Sequence, residues 1–246
     1  MSFEFLAADA AEAAGGRTPL ARSPMERAAV RAGARLEVRD GWNVAADFGA
    51  PGDERQACAQ TVAWTDVSHL GKLELQAAPA ELAGIVERAG GPAALEPGSA
   101  ARTGETWWCP MHRGRVLAIC PPGETGTLRG RLEEAAAGAA SLASVVELTS
   151  ALCALTISGP LAREVFARFC ALDLRPQAMP VAGFRPGSVA RTPGMVLREG
   201  TERYLALVGA ALGEYLWSVV EDAGVHLGGR PAGVDALSAL EEPAHA

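Results

Sequence analysis

The sequence predicts an α+β fold of two related halves, each an antiparallel sheet with helices on one face. Three observations predict it. Short extended runs alternate with amphipathic segments, the order strand–helix–strand–strand–helix occurs twice, and no long linker interrupts the 246 residues. A chain of this length buries enough apolar surface for one continuous unit.

The elements follow in chain order. Residues 1–22 are Ala/Gly-rich without periodicity and read as a mobile tail, as do residues 241–246. The unit between them spans residues 23–240, with its halves meeting near 140–150. Residues 72–76, KLELQ, alternate polar and apolar side chains as a half-buried strand does. In PAELAGIVERAGG, Leu82, Ile85, Val86 and Ala89 share one helical face, Pro79 suits the first turn and Gly90 the end. Residues 106–109 and 115–120 read as strands around the turn His112-Arg113-Gly114, followed by a helix over 128–137. Strands follow at 145–148 and 153–158, and then a helix opens at Pro160 with Leu161, Val165 and Phe169 in register. Two more strands, 195–198 and 204–208, flank the turn 199–202. The last helix puts Leu212, Tyr215, Leu216, Val219 and Val220 on one side, and Gly224 stops it.

Composition narrows the function. Apolar residues make up 49% and charged residues 21%, which is globular rather than disordered. A net charge of −7 argues against a nucleic-acid partner, which requires a basic face. The five cysteines are widely spaced among apolar neighbours, and the N-terminus lacks the basic start of a signal peptide, so reduced thiols in a cytoplasmic protein are expected. Residues 135–162 carry Glu147 as their one charge, yet that charge sits near the middle of the segment. A buried strand pair fits better than a membrane span, and no membrane association is expected. Cys109 and His112 have a zinc-like spacing, but no second pair supplies the remaining ligands, so no metal site is expected.

The densest signal is GWNVAADFG followed by ERQACAQTVAWTDVSHLGKLEL. It reads as an extended segment, a short helix and a turn feeding a strand. Asp66 and Ser68 suit bonds to turn amides, and Gly71 suits a backbone conformation closed to other residues. Ser68 and His69 are adjacent; on a strand they point to opposite faces and form no nucleophile–base pair. Trp107 and Trp108 likewise point apart, one into the core and the other toward a cleft or partner. Arg27, Arg31, Arg35 and Arg39 recur every fourth residue, but Gly33 and the alternating LEVR keep them off one helix.

These residues carry a resemblance. DVSHLGKLEL is similar to the Asp-x-Ser-His-x-Gly turn and strand of the aminomethyltransferase (glycine-cleavage T-protein) family. The ISGP of residues 157–160 resembles that family's Gly-Pro helix start. YLWSVVEDAG with LGGRPAGVDAL resembles the close of its second subdomain. Within the family, the opening SPMERAAVRAGARLEVRDGW and the expected absence of a third, barrel domain look more like the gamma subunit of multi-subunit sarcosine oxidase. The resemblance implies tetrahydrofolate as cofactor, with Asp66, Ser68, His69, Leu70 and the hairpin carboxylate Glu202 as cofactor-binding residues.

The departures qualify the activity. Folate-dependent members carry an Asp-rich loop where this chain reads ETWWCPMHRGRVLAIC, and the Arg of a later segment is missing at Leu240-Glu241. No catalytic residue is therefore assigned. The expectation is an accessory or non-catalytic subunit in tetrahydrofolate-linked one-carbon or N-methyl amine metabolism, with folate or a small amine as ligand. A flavin-dependent amine oxidase or demethylase subunit is the partner class implied. The alternative is an active aminomethyltransferase with a replaced catalytic carboxylate.

Overall fold

The computed structural model describes residues 19–241. Of the tails expected at 1–22 and 241–246, residues 1–18 and 242–246 lie outside the described residues, whereas Ala21 and Arg22 form a short strand and Glu241 ends a helix. The chain opens with β1 (Ala21–Arg22), α1 (Glu26–Arg31), β2 (Arg35–Arg39) and β3 (Trp42–Asp47). These strands form a small sheet in the order β1-β3-β2 that the sequence reading did not anticipate. The four arginines divide between α1 and β2, and three of them find carboxylates: Arg31 with Glu214, Arg35 with Glu37 and Asp47, and Arg39 with Glu37 and Asp235.

Next come α2 (Pro51–Gln60), β4 (Ala63–Asp66), β5 (Gly71–Gln76), α3 (Pro79–Arg88), β6 (Ala101–Thr103), β7 (Thr106–His112), β8 (Arg115–Cys120), α4 (Thr125–Ala137) and β9 (Ser144–Glu147). After them come β10 (Leu152–Ser158), α5 (Ala162–Phe166), β11 (Phe184–Val189), β12 (Thr192–Arg198), β13 (Arg203–Gly209), α6 (Gly213–Val225), β14 (Arg230–Pro231) and α7 (Val234–Glu241). A five-stranded sheet runs β6-β7-β8-β5-β9, and a six-stranded sheet runs β11-β12-β13-β10-β4-β14. Every pairing in the two is antiparallel except β14 with β4, and no sheet among the described residues closes into a barrel.

Strand alternation shows how the layers stack. On β8, Val116, Ala118 and Cys120 join the core under α3 and α4, while Leu117 and Ile119 face the other way. On β13, Tyr204, Ala206 and Val208 pack toward α1, α5 and α6, while Leu205 and Leu207 face the other way. The two inward sets share one cluster with Val67, Cys109, Phe184 and Leu237, so the sheets pack against each other and their helices cover the outer faces.

This stacking corrects the reading of β5. Its alternation promised a solvated polar face, but Lys72 and Glu74 lie on the face turned toward the second sheet and are 0% and 3% exposed. Glu74 accepts from Arg115 and from the Gln76 amide at 2.6 Å. Two helices also differ from expectation. The helix after Pro160 is only five residues long. The last long helix runs through Gly224 to Val225, and Gly224 lies against the Trp64 ring rather than at a stop. Residues 135–162 hold two strands as expected, but β9 and β10 lie in different sheets and only β10 is buried, because β9 is the edge strand of its sheet. No helix of the described residues is long and apolar enough to cross a membrane.

Candidate functional site

β4 belongs to the six-stranded sheet and β5 to the five-stranded one, so residues 67–70 carry the chain from one sheet to the other. Residues 148–151 make the reverse crossing from β9 to β10. The two crossings lie side by side and are stitched by polar groups. The Lys72 ammonium donates to the carbonyls of Ser68 and Leu70, both at 2.8 Å, and of Thr149 at 3.3 Å. The Lys72 amide donates to Thr149 Oγ1 at 3.1 Å. The Ser68 hydroxyl accepts from the Ala154 amide at 3.1 Å, and the Val67 amide donates to the Ala154 carbonyl at 2.9 Å. Asp66 accepts from the Ser68 amide at 3.0 Å, the turn-stabilising bond its position predicts.

Electrostatics in the turn follow from burial. Desolvation pushes the Asp66 carboxyl up, against bonds from Ser23 and Ser68 and the nearby Lys72 charge. Burial, opposed chiefly by Asp66, holds Lys72 down at about 8. Burial and the Lys72 charge lower His69 to about 4, so its imidazole is neutral at pH 7.

Gly71 is required here for a reason other than the one expected. It is not among the positive-φ residues. A Cβ on it would instead overlap Thr125 Oγ1 and come 2.7 Å from Cys120 Sγ, because β5 and the start of α4 pack there without room for a side chain.

The turn forms one wall of a cavity of about 250 Å³. His69 and Leu70 line it, while Asp66 and Ser68 lie behind the turn as its scaffold. The floor is apolar, from Val67, Ile119, Val234 and Leu237. The β6–β7 hairpin contributes Arg102, Glu105 and the partly buried Trp107, while Trp108 is 1% exposed on the opposite face of the sheet, as the adjacent pair predicts. From β12–β13 come Glu199 and Arg203, joined at 3.0 Å. Their hairpin is fixed from inside by buried Arg198, which donates to the carbonyls of Met179 and Thr201, both at 2.8 Å, and of Gly200 at 3.2 Å. Glu202 stands exposed on this hairpin and is not among the residues lining the cavity, and its carbonyl accepts from the Gly159 amide.

The structure thus brings His69 and Leu70 to the cavity, places Asp66 and Ser68 beneath it, and leaves Glu202 outside. Sequence reasoning missed Glu199, Arg203 and Arg102. The flanking pair Arg198-Glu199 and Arg203 across a four-residue turn was the available signal, since ends of paired strands face each other. Among the described residues no group of three or more His, Cys, Asp or Glu side chains is placed to hold a metal ion.

His69 makes a pH prediction. Its folded value, about 4, lies below the ordinary 6.5, so between these the unfolded chain binds a proton that the folded chain refuses. This contribution is full above pH 6.5 and lost as pH falls through about 4. It amounts to ~3 kcal/mol at most. Asp66, raised by burial, acts with the opposite sign in the acid range, so the test is a difference. Unfolding midpoints at pH 7.5 and 4.5 should fall further for the native protein than for His69→Gln. Equal falls would show that His69 titrates as an exposed histidine.

Comparison with known proteins agrees with this architecture. The GCVT N-terminal domain family matches residues 115–242, just over half of the chain. Among solved structures, the glycine cleavage system aminomethyltransferase T from Bartonella henselae is similar, with a TM-score of 0.73 at 15% identity over 88% of this chain. The match spans 60% of that protein's length. A chain of the heterotetrameric sarcosine oxidase from Corynebacterium sp. U-96 gives a TM-score of 0.64 at 23% identity, covering 84% of this chain and 95% of that one. No curated protein matches the sequence. With its two stacked sheets, its crossing turn and its match over residues 115–242, the chain belongs to the GCVT N-terminal domain family and has the aminomethyltransferase-like folate-binding fold.

Proposed function

We propose that the protein is a folate-holding accessory subunit in tetrahydrofolate-linked one-carbon or N-methyl amine metabolism, rather than a transferase in its own right. The observation that carries this reading is the state of the acids at the cavity. Glu199 is ion-paired with Arg203, Glu105 is exposed on the hairpin, and the buried Asp66 is behind the turn, bonded to the Ser68 amide. His69 is neutral and too weak a base to take a proton from an amine at pH 7.

The cavity fits part of a tetrahydrofolate. A dry pocket of roughly 150 Å³ admits a benzene ring, so about 250 Å³ suits one or two fused rings. Trp107, Leu70 and Ile119 would hold a ring, and the remainder would extend past the β6–β7 hairpin. Tetrahydrofolate would supply the one-carbon acceptor; this chain would supply binding and exclusion of water. The similarity to a chain of a heterotetrameric oxidase supports a partner of the flavin-dependent amine oxidase class.

A turnover assay of the purified chain with tetrahydrofolate and an aminomethylated carrier tests the reading. Product formation at the uncatalysed rate is expected. General acid–base catalysis typically contributes about 10²–10⁴-fold, so a positioned acid would be plain in the assay. Turnover abolished by Glu199→Gln or Glu105→Gln would identify a replacement carboxylate and overturn the accessory reading.

A further inference from the structure

A second cleft, of about 460 Å³, opens on the other face of the five-stranded sheet. Thr106 and Trp108 line it, and their side chains rise from β7 on the side opposite Trp107. The β6–β7 turn forms one wall and carries Glu105. The start of α4 forms the other, with Glu124 just before the helix and Arg131 two turns along it.

Two donors meet at one place in this cleft, over the Gly90-Gly91 backbone that follows α3. A Cβ on Gly90 would stand 3.1 Å from Arg131 Nη1, and one on Gly91 2.8 Å from Trp108 Cε2, the ring carbon bonded to Nε1. Trp108 is 1% exposed, and its buried indole N–H has no acceptor among the described residues. A buried donor left in this state calls for an explanation. Arg131 is exposed and makes no ion pair or hydrogen bond among the described residues. The two acids stand apart from this donor pair. Glu105 precedes Trp108 by three residues of extended chain, about 10 Å. Glu124 precedes Arg131 by seven residues of helix, again about 10 Å.

An anion alone would face the two acids in such a cleft, and a cation alone would face the guanidinium. A ligand with both charges, held apart, meets each with its opposite. From 10 Å, a hydrogen bond of roughly 3 Å at either end leaves roughly 4 Å between the ligand's own charges, more than an α-amino acid spans. We infer that this cleft is a second small-molecule site, one that takes a linear amino acid whose ammonium and carboxylate lie several bonds apart. The carboxylate sits against Arg131 and the Trp108 N–H, and the ammonium against Glu105 and Glu124. The site is independent of the folate reading, since Trp107 and Trp108 face opposite sides of the sheet.

The test titrates 4-aminobutanoate into the full chain and follows the indole ¹⁵N–¹H signals of its five tryptophans. The Trp108 signal, assigned by its loss in Trp108→Phe, should move saturably, with the Trp107 signal unmoved. Butanoate and butylamine, each with one charge, should bind about tenfold more weakly, as the loss of a charge-assisted hydrogen bond predicts. Glycine should also bind more weakly, because it is too short to reach both ends. Arg131→Gln and Glu124→Gln should each weaken 4-aminobutanoate to a similar degree. Both alter exposed side chains, so they decide the matter even where Trp108→Phe fails to fold. No saturable shift at millimolar concentrations, equal binding of butanoate, or affinity unchanged in both charge variants would overturn the assignment. Competition by tetrahydrofolate, with the Trp107 signal moving instead, would place the probe in the first cavity and overturn it as well.

Discussion

Lys72→Met is expected to destabilise the protein by about 2–4 kcal/mol and to loosen both crossings between the sheets. The substitution keeps the length of the side chain and removes its donors. Three carbonyls, those of Ser68 and Thr149 buried and that of Leu70 partly buried, then lose the bonds that Lys72 Nζ now makes. An orphaned buried polar group costs about 1–3 kcal/mol, so three exceed the expected total. The difference is the desolvation of the ammonium itself, the same burial that lowers its pKa to about 8. Between about 8 and the ordinary 10.5, the unfolded chain binds more protons than the folded one. Native stability relative to the Met variant should therefore increase as pH rises through that window. Urea unfolding at pH 7.5 and 9.5 checks both statements. A variant as stable as the native protein would show that the carbonyls find other donors.

Gly71→Val should cost about 3 kcal/mol through overpacking rather than backbone strain. The new Cβ would meet Thr125 Oγ1 and Cys120 Sγ at the junction of β5, β8 and α4. This mechanism predicts coupling: Gly71→Ala combined with Thr125→Ala should cost less than the two single substitutions summed, since the second removes the atom the first strikes. Additive losses in thermal unfolding would instead point to the backbone at Gly71.

Much of the fold was legible because its signals are local. Leu82, Ile85 and Val86 repeat at helical spacing and are all buried on α3, with Pro79 opening it and Gly90 in the left-handed region after it. The strand pairs around residues 112–114 and 199–202 announced themselves by turn composition and alternation. What could not be read was which strand joins which sheet. β4 and β5 are separated by four residues yet lie in different sheets, a choice made by packing of the two inner faces and invisible in either segment.

The same long-range packing hid the site. Lys72 sits in a pattern that reads as half-solvated, and only the second sheet buries it. The turn 66–71 stood out in the sequence, but its division of labour did not. Asp66 and Ser68 look inward to amides, and His69 and Leu70 look outward to the cavity. On the hairpin the sequence resemblance pointed to Glu202, whereas the β12–β13 register turns Glu199 and Arg203 toward the opening.

Folate held in the cavity between the crossing turn and the 199–203 hairpin is most directly tested by titrating tetrahydrofolate into the native protein and into Leu70→Trp. Leu70 lines the cavity from the turn, and the larger indole would occupy the space proposed for the ring. One molecule bound per native chain, with binding lost in a Leu70→Trp variant that unfolds at the native temperature, is the predicted result. Undiminished binding to that folded variant, or no binding to the native protein, would contradict it.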